Sequence, residues 1–326
     1  MPITLIDIAR ETGTSVSTVS RVLSGGPAAQ RISAATRGRV LATASKLGYR
    51  PNLLARSLRT RKSNTVALLL SDVGNPFFGQ IASLIEQSLH RQGYSLLVCN
   101  SGEDPKRELE YLELLPRKGI DGLIIVVTAA NQKSLTEHLG ADLPIVMLDR
   151  EVPGLRASVA SDQEQAAGAL CDALQRVGVK RAVLASGPAG IVTHQRRAVV
   201  IRDRLHVVAE LEGSAMSETG RHAFVRFLNT KFDAIVCTNN NIAHGFIDSI
   251  EQIDRPPIVA CFDDMMMSHL LPIPIVSSVQ DIARLAEGCV SLLMPMLLGH
   301  SNGDVQPIVI PTRLVTNLAF KSLKHL

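Results

Sequence analysis

The 326-residue sequence contains no tryptophan, only 3% aromatic residues and five widely separated cysteines. Because no cysteine belongs to a CxxC pair or a Cys/His cluster, a disulfide framework and a zinc site are both disfavoured. No uncharged apolar stretch reaches the roughly 20 residues that a membrane helix needs. The segment Met1–Asp7 lacks the basic head and apolar run of a secretory signal. We therefore expect a reduced, cytoplasmic protein without a membrane partner.

Motifs of the common enzyme classes are also missing. The nine histidines show neither HExxH nor HxH spacing, and no GxSxG, GxxxxGK[ST] or GxGxxG motif opens a helix. Paired carboxylates such as Asp263 and Asp264 could do acid–base chemistry, but the sequence places no nucleophile or metal ligand beside them. We therefore predict a binding protein with no catalytic residue, metal or cofactor.

The basic residues are concentrated at the N-terminus. Residues 1–62 contain eleven Lys or Arg and two Asp or Glu, a net charge of +9, whereas the remaining residues have a net charge of −5. A small basic segment joined to a mildly acidic body is typical of a nucleic-acid-binding protein with a separate second function.

The basic segment contains the pattern of a helix-turn-helix. Thr4 is a suitable N-cap for one helix, which ends in a turn at Gly13. Ser15 caps a second helix over residues 16–23, a longer loop follows at residues 25–30, and a third helix over roughly 34–47 completes the small core. In such a unit the start of the second helix enters the major groove of DNA.

Several side chains of this segment suit contacts with DNA. Ser17 could hydrogen-bond either base type, Val16 could contact a thymine methyl group, and Arg21 could bind guanine or a phosphate. The short basic stretch over residues 53–62 is either an interdomain linker or a segment that orders on DNA and inserts Leu58 into a minor-groove base step.

From Asn64 onward, short apolar runs alternate with amphipathic helical stretches. Examples of the runs are Val66–Leu70, Gly122–Val127 and Ile258–Phe262. Continuous β-rich runs separated by helices indicate parallel sheets covered on both faces, and the length allows two doubly wound α/β lobes. Ligands of such folds bind outside the carboxyl ends of the strands.

Polar residues follow the predicted strands in a consistent way. The segments concerned are Ser71–Phe78, Asn100–Ser101, Thr128, Asp149–Arg150, Asn239–Asn240, Asp263–Asp264 and Gln280–Asp281, with Arg196–Arg197 after a further strand. Each alone could be a loop cap, but together they suit a sugar-like ligand, because amides and carboxylates bind hydroxyl groups and a phenylalanine stacks on an apolar sugar face.

Two motifs carry a resemblance to the lactose-repressor (LacI/GalR) family of bacterial transcriptional regulators. They are TLIDIARETGTSVSTVSRVL at residues 4–23 and LGYRPNLLARSL at residues 47–58, and the similarity runs through almost the whole chain. The resemblance implies a homodimeric repressor that binds a pseudo-palindromic operator. It assigns Val16, Ser17 and Arg21 to base edges, Thr18 and Asn52 to phosphates, and Ala55 and Leu58 to the central minor groove.

The body resembles the effector-binding domains of these repressors and the periplasmic sugar-binding proteins. The matching signatures are NPFF at 75–78, LDR at 148–150, TNN at 238–240 and FDD at 262–264. The resemblance nominates nine effector contacts: Asn75, Phe77, Phe78, Asp149, Arg150, Arg197, Asn239, Asp263 and Gln280. Arg196 could share the role of Arg197. Two arginines in one cleft favour a sugar phosphate or sugar acid over a neutral sugar.

These expectations define an α/β architecture with an all-helical headpiece. The headpiece is residues 1–49, the hinge 50–62 and the two-lobed body 63–326, with lobe 1 at 63–160 and 279–309 and lobe 2 at 161–278 and 310–326. The chain is expected to cross between lobes near Ser161, Ser278 and Ile310. Effector binding would alter the spacing of the hinge segments and so operator binding. The alternatives are a solute-binding sugar receptor and a sugar-modifying enzyme.

Overall fold

The computed structural model describes residues 3–25, 27–49, 62–128, 135, 143–152, 154–155, 157–250, 256–299 and 305–323. The chain forms two compact units, Met1–Ser63 and Asn64–Leu326. Three of the predicted DNA contacts, Asn52, Ala55 and Leu58, lie outside the described residues. Their roles and the hinge therefore stay predictions.

The first unit is entirely helical over its described residues. Its helices are α1 (Leu5–Thr12), α2 (Val16–Ser24), α3 (Pro27–Gln30) and α4 (Ala34–Lys46). The α1 N-cap is Thr4, whose hydroxyl oxygen accepts from the Asp7 N–H while the Asp7 carboxylate accepts from the Thr4 N–H, a capping box. Gly13 ends α1 with a left-handed φ of 62°, which glycine adopts without steric cost.

The core of this unit is small and apolar. Ile8, Val19 and Val40 are fully buried, one from each of α1, α2 and α4. The predicted loop at residues 25–30 is wrong in part, because Pro27–Gln30 forms α3. Proline at the first position of a helix has the required φ and loses no intrahelical hydrogen bond, so Pro27 favours this short helix.

The second unit contains two six-stranded sheets with helices between the strands. The strands are β1 (Thr65–Leu70), β2 (Ser95–Asn100), β3 (Gly122–Ile125), β4 (Ile145–Leu148), β5 (Ser158–Ser161), β6 (Ala182–Ser186), β7 (Val207–Glu212), β8 (Ala234–Cys237), β9 (Ile258–Phe262), β10 (Ile275–Val279), β11 (Ile308–Ile310) and β12 (Arg313–Thr316). The helices are α5 (Pro76–Arg91), α6 (Pro105–Arg117), α7 (Gln163–Arg176), α8 (Val192–Arg204), α9 (Ser217–Phe227), α10 (Asn240–Ile247), α11 (Ile282–Leu297) and α12 (Leu318–Ser322).

The first sheet has the strand order β11-β5-β4-β3-β1-β2, and its paired strands are parallel. It is covered on both faces. Alternate residues of β1 point to opposite faces, so Leu68 packs in a cluster with Ile85 of α5 and Leu293 of α11, whereas Leu69 packs in a cluster with Leu112 of α6. This burial explains why the strands are continuous apolar runs in the sequence.

The second sheet has the order β12-β10-β9-β8-β6-β7. It is parallel except at its edge, where β12 pairs antiparallel with β10. This strand differs from the predicted parallel sheets. The reason is where the strand begins: Arg313, at the start of β12, pairs with Val279 at the end of β10. The short link from β11 therefore enters the second sheet at the carboxyl ends of its parallel strands, and β12 runs back against them.

The chain passes between the two sheets at three places. The crossings lie between β5 and α7 at residue 162, between β10 and α11 at 280–281, and between β11 and β12 at 311–312. We refer to the part around the first sheet as lobe 1 and the part around the second as lobe 2. None of the helices in the described ranges has the length and apolar character to span a bilayer.

Candidate functional site

The carboxyl ends of strands from both lobes border one cleft of about 450 Å³, a volume that includes space open to solvent. The nine residues that the sequence nominated as effector contacts all line it: Asn75, Phe77, Phe78, Asp149, Arg150, Arg197, Asn239, Asp263 and Gln280. The position of the cleft outside the strand ends is where parallel α/β folds bind ligands.

Arg150 follows β4 and is 4% exposed. Its guanidinium donates from Nη1 to Glu103 Oε2 at 2.9 Å and to the Val127 carbonyl at 2.9 Å, and from Nη2 to Glu103 Oε1. The neighbouring Asp149 has a left-handed φ of 65°, and its carboxylate lies 3.9 Å from Arg150 Nε. The terminal edge of the Arg150 guanidinium is therefore already occupied by a carboxylate.

Glu103 lines the cleft but is not among the nine effector contacts that the sequence nominated. It lies in the loop after β2 and lines the cleft together with Arg150. A signal in the sequence is its position two residues past the polar pair Asn100–Ser101, which follows a strand and was among the predicted polar segments. Asp72, Asn241 and His194 also line the cleft without having been nominated.

Arg197 enters the cleft from α8 and is held by groups of lobe 2. Its Nε donates to Gln163 Oε1 at 2.7 Å and its Nη1 to the Thr238 carbonyl at 2.6 Å. The guanidinium also lies 4.3 Å from the ring centroid of Phe262, a cation–π distance. Arg196, which the sequence suggested could share this role, is 37% exposed, donates to Glu151 at 2.6 Å and is not among the residues lining the cleft.

Asp263 and Gln280 come from the ends of neighbouring strands in lobe 2. The Gln280 side-chain amide donates to the Asp263 carboxylate. Asp263 has a left-handed φ of 70° directly after β9, as Asp149 has after β4. The two aspartates therefore have equivalent positions in the two lobes. Non-glycine residues with a left-handed φ are strained, and they cluster at ligand sites.

Asparagine side chains connect the lobes across the cleft. Asn75 caps α5, and its side-chain amide exchanges hydrogen bonds with that of Asn240 at 3.1 and 3.2 Å. Asn241 donates to Asp72 at 3.2 Å. Asn239 caps α10 and donates to the Ala215 carbonyl at 2.8 Å. Amide and carboxylate groups from both lobes thus face one small volume.

Acidic groups outnumber basic groups in the cleft. The lining carboxylates belong to Asp72, Glu103, Asp149 and Asp263, and the guanidiniums to Arg150 and Arg197. Burial lowers the pKa of His194 well below its usual range, and both arginines lower it further, so this ring is neutral near pH 7. Burial also raises the pKa of Asp149, an effect that Arg150 opposes.

Some buried polar atoms in the cleft have no protein hydrogen-bond partner among the described residues. They are Asp149 Oδ1, Arg150 Nε and Gln280 Oε1. Leaving such atoms unpaired is costly, so they are expected to bind a polar ligand. Two acceptors and one donor near two phenylalanine rings, whose centroids are 4.9 Å apart, suit a molecule with hydroxyl groups and an apolar face.

The predicted DNA contacts that the structure describes lie in α2 and at its N-cap. Ser15, Val16, Ser17 and Arg21 are exposed, Val16 by 41%, and Thr18 is half-buried. The Ser15 Oγ caps the helix by accepting from the Thr18 N–H at 3.1 Å and lies 2.8 Å from the Ser17 Oγ. This arrangement presents an amphipathic helix whose outer face is free to contact a major groove.

Together these features define a two-lobed ligand-binding body of the sugar-receptor class, linked in one chain to a basic helix-turn-helix. Residues 63–258 match the family model for periplasmic binding proteins and the sugar-binding domain of the LacI family, and residues 4–52 match that for bacterial regulatory proteins of the lacI family. The chain belongs to the LacI family and is a DNA-binding transcriptional repressor rather than an enzyme.

Individual relatives agree with this assignment. The ribose operon repressor of Bacillus subtilis (strain 168) is 32% identical, with 90% of this chain and 91% of that protein covered. The lac repressor dimer bound to operator and the anti-inducer ONPF has a TM-score of 0.81 at 23% identity, covering 97% and 98% of the two chains. The Cra transcriptional dual regulator of Pseudomonas putida, solved with fructose 1-phosphate, has a TM-score of 0.70 at 21% identity, covering 77% and 98%.

Proposed function

We propose that this repressor acts as a homodimer whose operator binding is controlled by a small neutral sugar, a pentose such as ribose, bound in the cleft between the lobes. One observation carries the choice of a neutral ligand: the terminal edge of Arg150 is taken by Glu103. Asn75, Asp149, Asn239 and Asp263 line the same cleft and offer amide and carboxylate groups that suit the hydroxyl groups of a sugar.

The sequence preference for a sugar phosphate or sugar acid depended on two available arginines. Arg197 already donates from Nε and Nη1 to Gln163 and Thr238. An anion entering the cleft would meet four carboxylates and two guanidiniums, and like charges brought together at a binding site cost several kcal/mol. The partners of the arginines therefore support the neutral sugar, with the anionic sugar as the alternative.

The name of a relative supports the same class. The Bacillus subtilis relative is called a ribose operon repressor, and the similarity extends over both the headpiece and the body. A pentose has several hydroxyl groups for the asparagines and aspartates of the cleft, and an apolar face for Phe77 or Phe78.

A thermal unfolding screen tests the effector class. We expect D-ribose or a related neutral pentose, at about 100 times its dissociation constant, to raise the free energy of unfolding by ~2.7 kcal/mol, because it binds only the folded state. L-Ribose is the control, since it has the same groups in the mirror arrangement and should give a much smaller shift. Stabilisation by sugar phosphates alone would contradict the proposal and favour the anionic class.

The proposed control mechanism is a population shift between two arrangements of the lobes. A ligand held by residues of both lobes favours the closed arrangement over the open one. The hydrogen bonds from Asn75 to Asn240 and from Asn241 to Asp72 belong to that closed arrangement. Coupling to the headpieces through residues 50–62 would be worth ~1–3 kcal/mol, as is typical of allosteric proteins.

Arg21 is expected to contribute directly to operator specificity. Replacing Arg21 with alanine should weaken binding to a duplex selected by the wild-type protein by about 1–3 kcal/mol, because a bidentate arginine–guanine contact is worth that amount. The measurement is fluorescence anisotropy at fixed salt, with selected and scrambled duplexes compared.

The matched control for this experiment is Arg117→Ala, which removes an exposed arginine from the body. It should leave the affinity for the selected duplex within experimental error. An equal loss of affinity for both duplexes in Arg21→Ala would reduce Arg21 to a phosphate contact.

A further inference from the structure

Glu103 occupies the edge of Arg150 that would otherwise bind an anion. Arginine binds carboxylates and phosphates best with two parallel N–H donors. In this cleft, Nη1 and Nη2 both donate to Glu103, and Nη1 donates additionally to the Val127 carbonyl. The Glu103 side chain is 20% exposed and lines the cleft.

The backbone holds Glu103 in this position. Its φ of 59° lies in the left-handed region, which disfavours non-glycine residues, and Gly102 before it is also left-handed with a φ of 66°. The Glu103 N–H donates to the Ser71 carbonyl at 3.0 Å, and the Asp104 N–H donates to the Ser101 carbonyl at 3.2 Å. These hydrogen bonds hold Glu103 in an uncommon backbone conformation, and residues in such conformations cluster at ligand sites.

We propose that Glu103 determines the charge selectivity of the effector cleft: by neutralising Arg150 and occupying its terminal edge, it admits neutral sugars and excludes anionic ones. This inference depends on the proposed function only in that the effector occupies this cleft. Arg150 remains a hydrogen-bond donor through Nε, which has no hydrogen-bond partner among the described residues and lies 3.9 Å from the Asp149 carboxylate. Glu103 therefore converts a cation that would bind anions into a donor that suits a hydroxyl group.

A purely structural role for Glu103 makes a different prediction. If the ion pair served only to hold Arg150 in place, its loss would weaken every ligand to a similar extent. A selectivity role instead predicts that affinities for a neutral sugar and its phosphate change in opposite directions or by very different factors. The ratio of the two affinities therefore separates the two roles.

The test compares Glu103→Gln with wild type by calorimetric titration of D-ribose and D-ribose 5-phosphate. Glutamine keeps the size of the side chain and its carbonyl oxygen but removes the negative charge. We expect the affinity for D-ribose 5-phosphate to rise by at least about tenfold, equivalent to 1.4 kcal/mol, with no comparable rise for D-ribose. The Glu103→Asp variant keeps the charge and should still exclude the phosphate.

Glu151→Gln is the matched control. Glu151 directly follows Arg150 in the sequence, but its carboxylate pairs with Arg196, and it is not among the residues lining the cleft. The same loss of charge there should leave both affinities unchanged.

An unchanged affinity of Glu103→Gln for D-ribose 5-phosphate, or an equal change in Glu151→Gln, would overturn the proposed role of Glu103. Failure of wild type to bind any neutral sugar contradicts the proposed effector class instead. The two failures are distinguishable because the affinity for the phosphate is compared between variants and does not require wild type to bind ribose.

Discussion

Replacing Arg150 with methionine is expected to abolish the response to effector and to lower the free energy of unfolding by about 3–5 kcal/mol. Removing one member of a buried ion pair leaves the other charge uncompensated, and this produces losses of that size. Here Arg150 pairs with Glu103 and also lies 3.9 Å from Asp149. Methionine has a similar length, so the loss reflects charge and hydrogen bonds rather than a cavity.

The pH dependence of this loss follows from Asp149. Burial raises the pKa of Asp149 above its ordinary value of 3.8, and Arg150 is the largest opposing influence. Without Arg150 the pKa rises further, so the folded state binds the proton more tightly than the unfolded state. Stability then falls as pH rises between 3.8 and the folded-state pKa. We expect the deficit to be smaller at pH 5 than at pH 8.

Urea unfolding at pH 5 and pH 8 measures the loss in the free energy of unfolding and its pH dependence. Arg196→Met is the control. Arg196 also forms an ion pair with a glutamate, but it is 37% exposed, and exposed pairs typically contribute 0.2–1 kcal/mol. If Arg150→Met were no more destabilising than Arg196→Met, the buried network around Arg150 would not stabilise the fold. The double variant Arg150→Met with Glu103→Gln should recover part of the loss, because one stranded charge is removed.

The residues of the cleft were predictable because they follow strands directly. Asn75, Asp149 and Asp263 each lie within a few residues of an apolar run, and parallel strands bring their carboxyl ends to one edge. The balance of charges in the cleft was harder to predict from the sequence. The sequence contains Arg150 and Glu103 47 positions apart, and their pairing depends on the left-handed backbone at Glu103. Counting arginines alone therefore favoured an anionic ligand.

Local signals predicted the ends of α1 and the start of α2 well, and the short elements α3 and β12 less well. Thr4, Ser15 and Gly13 act at the helix ends as their residue types suggest, since capping depends on neighbouring residues. The short helix at Pro27–Gln30 and the antiparallel strand β12 were not predicted. Both are short, and tertiary context rather than periodicity decides their conformation.

Close contact between α9 and α10 depends on two glycines whose role the sequence does not reveal. A Cβ atom on Gly220 would lie 1.9 Å from the Ile242 carbonyl oxygen, and one on Gly245 would lie 1.8 Å from the Ser217 carbonyl oxygen. The two helix backbones therefore approach more closely than any side chain permits. Glycine in a helix interior is otherwise unfavourable, so its presence at both positions is explained by packing.

This contact also positions the cleft, because α10 begins with Asn240 and is capped by Asn239. Replacing Gly245 with alanine must move α10 away from α9, since backbone atoms cannot rotate aside as a side chain can. We expect a loss of about 3 kcal/mol in the free energy of unfolding, at the upper end of the range for overpacking. Effector affinity should fall as well, because the two asparagines move with the helix.

Gly79→Ala provides the control for Gly245→Ala in urea unfolding and effector titration. Gly79 lies within α5, and a Cβ there would meet no atom within 4 Å among the described residues. Alanine has the higher helix propensity and restricts the unfolded chain, so Gly79→Ala should be neutral or more stable by up to about 1 kcal/mol. An unchanged or increased stability in both variants would mean that α9 and α10 accommodate the added methyl group. The hydrogen bonds of the cap and the cleft, rather than the close helix contact, would then position Asn239 and Asn240.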